Sequence, residues 1–170
     1  MAKAQENIIN SPKQAQNGFD VLDTLKKEKG KGQGKVDQIP AVEIIKKSYV
    51  QQMKSKDGLD EFMQKLATLL QNPNVKLVQF LNTLFLTVKL SDELAEIKIF
   101  TIDSPEHIAM SVRDMARLLQ KNNFKKAVSS SNMPEFVDIA QQTGLPVKIS
   151  QGQMMMGNQA VPSYTFELDL

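Results

Sequence analysis

Residues 96–112 read EIKIFTIDSPEHIAMSV, and their pattern changes from strand to helix within the segment. Residues 96–102 are rich in the β-branched and aromatic side chains typical of a strand, whereas apolar residues recur at helical spacing after residue 105. Turns between a strand and a helix often bind phosphate groups, because glycines let backbone N–H groups approach and the helix N-terminus carries partial positive charge. This turn contains no glycine. It therefore either binds a phosphate in another way or only begins a helix.

The residues of the turn can all be explained as the start of a helix. Ser104 is a preferred N-cap residue, and Pro105 suits the first helical position because it has no N–H to satisfy. Asp103 and Glu106 place negative charge beside the helix N-terminus, where it complements the helix dipole. The sequence thus predicts a helix start that needs no ligand.

Further strands and helices are predicted on both sides of this segment. Helical spacing predicts two helices before residue 72, and three short runs rich in β-branched and aromatic residues predict a strand meander over 75–102. After the turn we predict helix 105–121, strand 125–130, helix 133–143, strand 145–150, a loop over 151–161 and strand 162–170. Such an order is typical of an α/β (α+β) domain whose mixed sheet carries helices on both faces.

The first 36 residues differ in composition from the remainder. They hold seven lysines and four acidic residues and end in KKEKGKGQGK, whereas the other residues include 14 basic and 15 acidic side chains. A segment that alternates Lys with Gly cannot bury enough apolar surface to offset its chain entropy. We predict a flexible Lys/Gly-rich arm over residues 1–36 and one folded domain over residues 37–170.

Two kinds of contact are possible for this arm. Phe19, Leu22 and Leu25 lie at helical spacing, which indicates either a frayed helix or a short helix that docks on a partner or a neighbouring subunit. The lysines could contact nucleic acid nonspecifically through its phosphates. No aromatic residues interleave with them, so base stacking is not supported.

Composition excludes several kinds of site. The chain has no Cys and a single histidine, His107, which removes disulfides, thiolate nucleophiles and His-rich metal clusters. His107 is either a general base or a solvent-facing residue of the first helical turn. The first ten residues show no apolar core of a secretion signal, and no apolar run is long enough to span a membrane. We expect a soluble protein that is cytoplasmic or packed inside a larger assembly.

The order of elements resembles that of the GNAT N-acyltransferase superfamily. The stretches that carry the resemblance are EIKIFTIDS, SPEHIAM, SVRDMARLLQKNNF, KKAVSSSN, MPEFVDIAQQTG and LPVKIS. Asn132 stands about where many members have an Asn after a strand, and Gly144-Leu145 looks like the Gly-aromatic pair that follows the next helix. The resemblance covers residues 58–170 and implies a GNAT-like sheet.

Two chemical features of active members are missing. The resemblance implies an Arg/Gln-x-x-Gly-x-Gly/Ala string at the bend, where the pyrophosphate of coenzyme A would bind, but residues 103–110 read DSPEHIAM. It also implies a Tyr that protonates the leaving thiolate, and Ile139 or Ala140 falls near its place. We therefore expect a degenerate, non-enzymatic domain without cofactor, catalytic or metal-binding residues. The alternative is an acyl-CoA-dependent N-acyltransferase with an atypical cofactor loop.

A basic arm, two helices and a GNAT-like domain without the glycine loop are together similar to the acetyltransferase-like virion and internal-virion proteins of tailed bacteriophages. The resemblance implies a virion location and a structural role. The partners would be other protein subunits, as copies of this chain or as different chains. The arm would then contact neighbouring subunits and order only in the assembly.

Two polar or flexible segments near the C-terminus are further candidates for contacts. Met154, Met155 and Met156 lie in QGQMMMGNQ, and adaptable methionines of this kind either contact a partner or pack over one end of the sheet. Asn132 follows three serines and precedes Met-Pro-Glu, which favours an N-cap role over ligand binding.

Overall fold

The computed structural model describes residues 38–170, which form four helices and six strands. In chain order they are α1 (Ala41–Met53), α2 (Leu59–Leu69), β1 (Val75–Phe80), β2 (Thr83–Lys89), β3 (Leu94–Thr101), α3 (Pro105–Lys121), β4 (Lys126–Ser131), α4 (Glu135–Gln142), β5 (Val147–Met156) and β6 (Gln159–Asp169). The strands form one mixed sheet in the order β1-β2-β3-β4-β6-β5. The predicted α/β class is confirmed. None of the helices within residues 38–170 is long and apolar enough to cross a membrane.

Residues 38–88 and 99–103 form one compact unit. In it β1 and β2 pair antiparallel, from Val75 with Val88 to Phe80 with Thr83, so that a two-residue turn joins them. Its core takes residues from both helices and from the strands: Ala41, Ile44, Ile45, Leu66, Val75, Leu77, Leu84, Leu86 and Phe100. Burial of each large side chain stabilises the fold by about 1.5–3 kcal/mol, so this core holds α1 and α2 against the hairpin.

One buried hydroxyl in this unit is unsatisfied, and its removal should stabilise the fold. Thr87 is only 6% exposed, and its Oγ1 has no hydrogen-bond partner among residues 38–170. We expect Thr87→Val to raise the free energy of unfolding by about 1 kcal/mol. The hydroxyl gives up its hydrogen bonds to water on folding and gains none in return, whereas a methyl group carries no such cost. Urea denaturation would measure the change.

The matched control lies on the same strand. Thr83 is 0% exposed, and its Oγ1 donates to Asp103 Oδ2 at 2.8 Å. Thr83→Val should therefore destabilise the protein by about 1–3 kcal/mol, since it removes one of the two donors to the Asp103 carboxylate. Equal effects of the two substitutions would contradict this account.

Residues 89–98 and 104–170 form the second compact unit. Here β3 and β4 pair in parallel, from Leu94 with Lys126 to Ile97 with Ser129, and α3 is the crossover that a parallel pair requires. β4 also pairs antiparallel with β6. α4 packs on α3 through a buried apolar cluster of Ile108, Ala109 and Ile139.

The predicted loop over residues 151–161 is wrong, because these residues belong to a long hairpin. β5 and β6 pair without a bulge from Val147 with Leu168 to Met156 with Gln159. Gly157, with φ of 63°, and Asn158 form the two-residue turn, a conformation that favours glycine. The glycines and the asparagine of this segment disfavour a strand, but pairing with β6 overrides this local preference.

The predicted N-cap role of Asn132 is also wrong. Pro134 occupies the N-cap position of α4, and no side chain caps this helix. Ser131 Oγ accepts a hydrogen bond from Met133 N at 3.1 Å, whereas Asn132 Nδ2 donates to Met156 Sδ at 3.0 Å. A contact between distant residues therefore competes with the local cap. Gly144 adopts the predicted left-handed conformation after α4, with φ of 70°.

Candidate functional site

The bend between β3 and α3 is short, because only residues 102–104 separate the two elements. The carboxylate of Asp103 does not face an open site. Its Oδ2 accepts hydrogen bonds from Asn82 N and from Thr83 Oγ1, both at 2.8 Å. Asn82 lies in the turn between β1 and β2, and Thr83 is the first residue of β2, so the acid holds that turn against the end of β3.

Hydroxyl groups complete a closed ring of hydrogen bonds around Asp103. Its N–H donates to Thr101 Oγ1 at 3.1 Å, and Thr101 Oγ1 lies 2.7 Å from Thr83 Oγ1. A threonine hydroxyl has one proton, and that of Thr83 goes to the carboxylate. Thr101 must therefore donate to Thr83. Each group in the ring polarises the next, which strengthens the set as a whole.

Asn82 extends this network. Its backbone carbonyl accepts from Ile102 N at 3.3 Å, and its Oδ1 accepts from Ile39 N at 2.8 Å. Leu81, beside it in the turn, has φ of 52°, a left-handed conformation that an apolar residue adopts only where the surroundings enforce it. The network around Asp103 and Asn82 supplies that constraint.

After Asp103 the chain starts α3 as predicted. Ser104 is the N-cap, and its Oγ accepts from His107 N at 3.4 Å. Pro105 occupies the first helical position. Ile108 N donates to Ser104 O at 2.9 Å. The predicted roles of Ser104, Pro105 and Glu106 at the helix start are confirmed, whereas Asp103 bonds to the β1–β2 turn.

The sequence resemblance implies that the pyrophosphate of coenzyme A would bind at this bend, but residues 102–107 do not fit it. The N–H groups of Ile102, Asp103 and His107 are donated to acceptors within the protein. Pro105 has no N–H, and Glu106 exposes a carboxylate in the first turn. A phosphate needs several convergent N–H donors. Most N–H groups of this bend already donate to acceptors within the protein, and the carboxylate of Glu106 adds negative charge.

The remaining candidates for chemistry are dispersed. In the described part of the chain, the imidazole of His107 has no hydrogen-bonded or ion-paired carboxylate to orient it as a base. Ile139, one of the two residues near the place of the expected tyrosine, is buried against Ile108. Residues 38–170 contain no group of three or more acids or histidines that could hold a metal ion.

The sequence did not predict that the side chain of Tyr164 lies beside the end of β4. Tyr164 of β6 pairs with Ser131 on one side and with Gln151 of β5 on the other. These three side chains form a polar row across three strands on one face of the sheet. The register of the last two strands brings them together, and no local motif could have revealed it.

The predicted interaction residues occupy two different parts of the chain. Met154 and Met155 lie near the tip of the β5–β6 hairpin and are 38% and 64% exposed. Met156 is partly buried and accepts the hydrogen bond from Asn132. Phe19, Leu22 and Leu25 lie outside the described residues, as does the predicted arm.

The described residues are similar in fold to several solved acetyltransferases. No protein-family model and no curated protein matches the sequence. Among solved structures, the chain is similar to a probable acetyltransferase from Staphylococcus epidermidis, with a TM-score of 0.56, 11% identity, and coverage of 75% of this chain and 90% of that chain. It is also similar to a probable GNAT-family acetyltransferase from Chromobacterium violaceum (TM-score 0.54, 10% identity, 81% and 89% coverage). A third is an aminoglycoside 6'-acetyltransferase type Ii (0.54, 9%, 78% and 95%). The described part of the chain therefore has the fold of the GNAT acetyltransferases.

Proposed function

We propose that this protein is a non-enzymatic interaction protein built on a GNAT-fold domain that does not bind acyl-CoA. The observation that carries the proposal is the closed bend before α3. Asp103 is committed to Asn82 and Thr83, and the first-turn N–H of His107 is committed to Ser104. A ligand phosphate would have to break these bonds before it could form its own.

Electrostatics and packing support the same proposal. A phosphate at this helix start would lie beside the exposed carboxylate of Glu106, and like charges at a few ångströms repel. Ile139 is part of an apolar cluster with Ile108 and Ala109. A general acid at position 139 would have to be placed inside this cluster. Both the charge at the bend and the packing at position 139 therefore support a domain without acyl transfer.

The setting we propose is the virion of a tailed bacteriophage, where the chain would contact other protein subunits. The sequence resemblance to acetyltransferase-like virion proteins supports this setting. The N-terminal segment would contact neighbouring subunits through Phe19, Leu22 and Leu25, and its lysines would make nonspecific contacts with nucleic acid. Mass spectrometry of purified native particles would test the proposal, and recovery of the chain only outside assembled particles would contradict it.

The alternative function is an acyl-CoA-dependent N-acyltransferase, which the similarity to solved acetyltransferases favours. A titration separates the two. A ligand present at 100 times its Kd stabilises the folded state by about 2.7 kcal/mol. We expect acetyl-CoA at millimolar concentration to leave the thermal unfolding of the full chain unchanged, because the bend has too few N–H donors for the pyrophosphate.

The control for this titration is inorganic pyrophosphate at the same ionic strength, which reports nonspecific binding of anions to the lysine-rich chain. A stabilisation by acetyl-CoA that pyrophosphate does not reproduce would contradict the proposal. Transfer of the acetyl group to an amine would establish the alternative.

A further inference from the structure

Strand β5 ends the sheet with an open edge. In the described part of the chain it pairs with β6 alone, and every residue from Ser150 to Met155 is exposed. An edge strand presents unpaired N–H and C=O groups, and proteins usually protect such an edge with charges, prolines or bulges. β5 has ten residues, one charge at Lys148, no proline and a continuous register.

The register identifies which backbone groups face outward. A two-residue turn is closed by a hydrogen-bonded pair, here Met156 with Gln159. Hydrogen-bonded pairs alternate along an antiparallel ladder. Residues 148, 150, 152 and 154 therefore bond to β6, whereas residues 147, 149, 151, 153 and 155 direct their N–H and C=O groups to the open edge. The N–H of Val147 is consistent with this assignment, because it donates to Leu145 O and not to β6.

We propose that β5 is a homodimer interface, in which the β5 strands of two copies pair antiparallel around Gln151. Residue 151 is the midpoint of the five outward-facing residues, so a two-fold axis there sets all of them in register, with the N–H of Val147 alone already donated, to Leu145 O. It sets Val147 opposite Met155 of the second copy and Ile149 opposite Gln153. The exposed Met155 gains an apolar neighbour, and the two Gln151 side chains face each other, where their amides can hydrogen-bond.

Charge and symmetry both support a second copy of the chain as the occupant of this edge. Around this axis Lys148 lies opposite Met154 of the second copy, and so does not face its own equivalent. The pairing uses the same strand of both copies and therefore closes as a dimer, whereas pairing of β5 with a different edge would continue as a filament. In this dimer the sheet of one copy would continue through the two β5 strands into the sheet of the second copy.

The first test removes one outward N–H. We expect the wild-type full chain to sediment as a dimer of twice its 19.0 kDa mass. Gln151→Pro should weaken the dimer by about 30-fold or more, because it deletes the two hydrogen bonds on the axis. Its N–H does not bond to β6, so circular dichroism should show an intact fold. Gln151→Ala keeps the N–H and should still form dimers.

A charge exchange tests the axis itself and does not depend on proline. Gln151→Lys and Gln151→Glu each set like charges against each other and should be monomeric alone, whereas an equimolar mixture should restore the dimer. Hydrogen exchange should show that the N–H groups of 149, 151, 153 and 155 become protected with rising concentration, while those of 150, 152 and 154 are protected throughout. A monomeric wild type at several hundred micromolar would overturn the proposal. A dimer that Gln151→Pro and both charged variants leave intact would overturn it equally.

Discussion

Asp103→Ala is expected to lower the free energy of unfolding by about 3 kcal/mol, because it removes the acceptor of two hydrogen bonds from partly or fully buried donors. Asn82 N and Thr83 Oγ1 both donate to the same atom, Oδ2. The alanine would leave the Asn82 N–H without this acceptor and would open the ring that runs through Thr101. Urea denaturation gives the free energy, and the thermal midpoint should fall by about 6–12 °C for a domain of this size.

The control is Asp103→Asn, which the geometry makes unusually informative. Since both donors use one carboxylate oxygen, the amide oxygen of asparagine can replace it and keep both bonds. The loss should then be about 1 kcal/mol, the difference between a charged and a neutral acceptor. If the alanine variant were as stable as the asparagine variant, the ring would not be what holds the β1–β2 turn to β3.

This network also shows where sequence reasoning stops. The start of α3 was predictable in detail because capping is local: Ser104 and Pro105 lie within three residues of the N–H groups they satisfy or replace. The partners of Asp103 are 20 and 21 residues away. A sequence read segment by segment assigned that acid to the helix dipole, whereas the folded chain uses it to hold a hairpin turn.

The prediction for the C-terminal hairpin was wrong for a related reason. QGQMMMGNQ has the Gly and polar residues of a loop, and nothing local marks it as a strand. Its conformation follows from pairing with β6, which begins only after the turn at Gly157. The wrong prediction of an N-cap role for Asn132 has the same origin, since its amide donates to Met156 Sδ at the end of that hairpin. Elements with a clear local pattern were predicted, whereas the strand conformation of residues 151–156 and the contact of Asn132, which depend on distant partners, were not.

Ile139→Ala is expected to lower the free energy of unfolding by about 3 kcal/mol, through lost burial and the cavity left behind. Ile139 is 4% exposed and packs with Ile108 and Ala109 of α3, flanked by Val112 and Phe136. Ile139→Val removes one methylene and should cost about 1 kcal/mol. Chemical denaturation of the three proteins would measure both steps, and a fully tolerated alanine would show that α4 does not depend on this contact.

A third substitution at the same position connects packing with function. Ile139→Tyr supplies the phenol that the GNAT resemblance leads one to expect near this place, but it must fit a larger, polar side chain into the apolar cluster between α3 and α4. We expect a loss of about 1–3 kcal/mol from overpacking and no acetyl transfer from acetyl-CoA. Restored transfer would mean that the cofactor can bind despite the closed bend, and would decide in favour of the enzymatic alternative. Stability loss without activity is the outcome expected if α4 has become a packing element and the bend before α3 no longer accepts a phosphate.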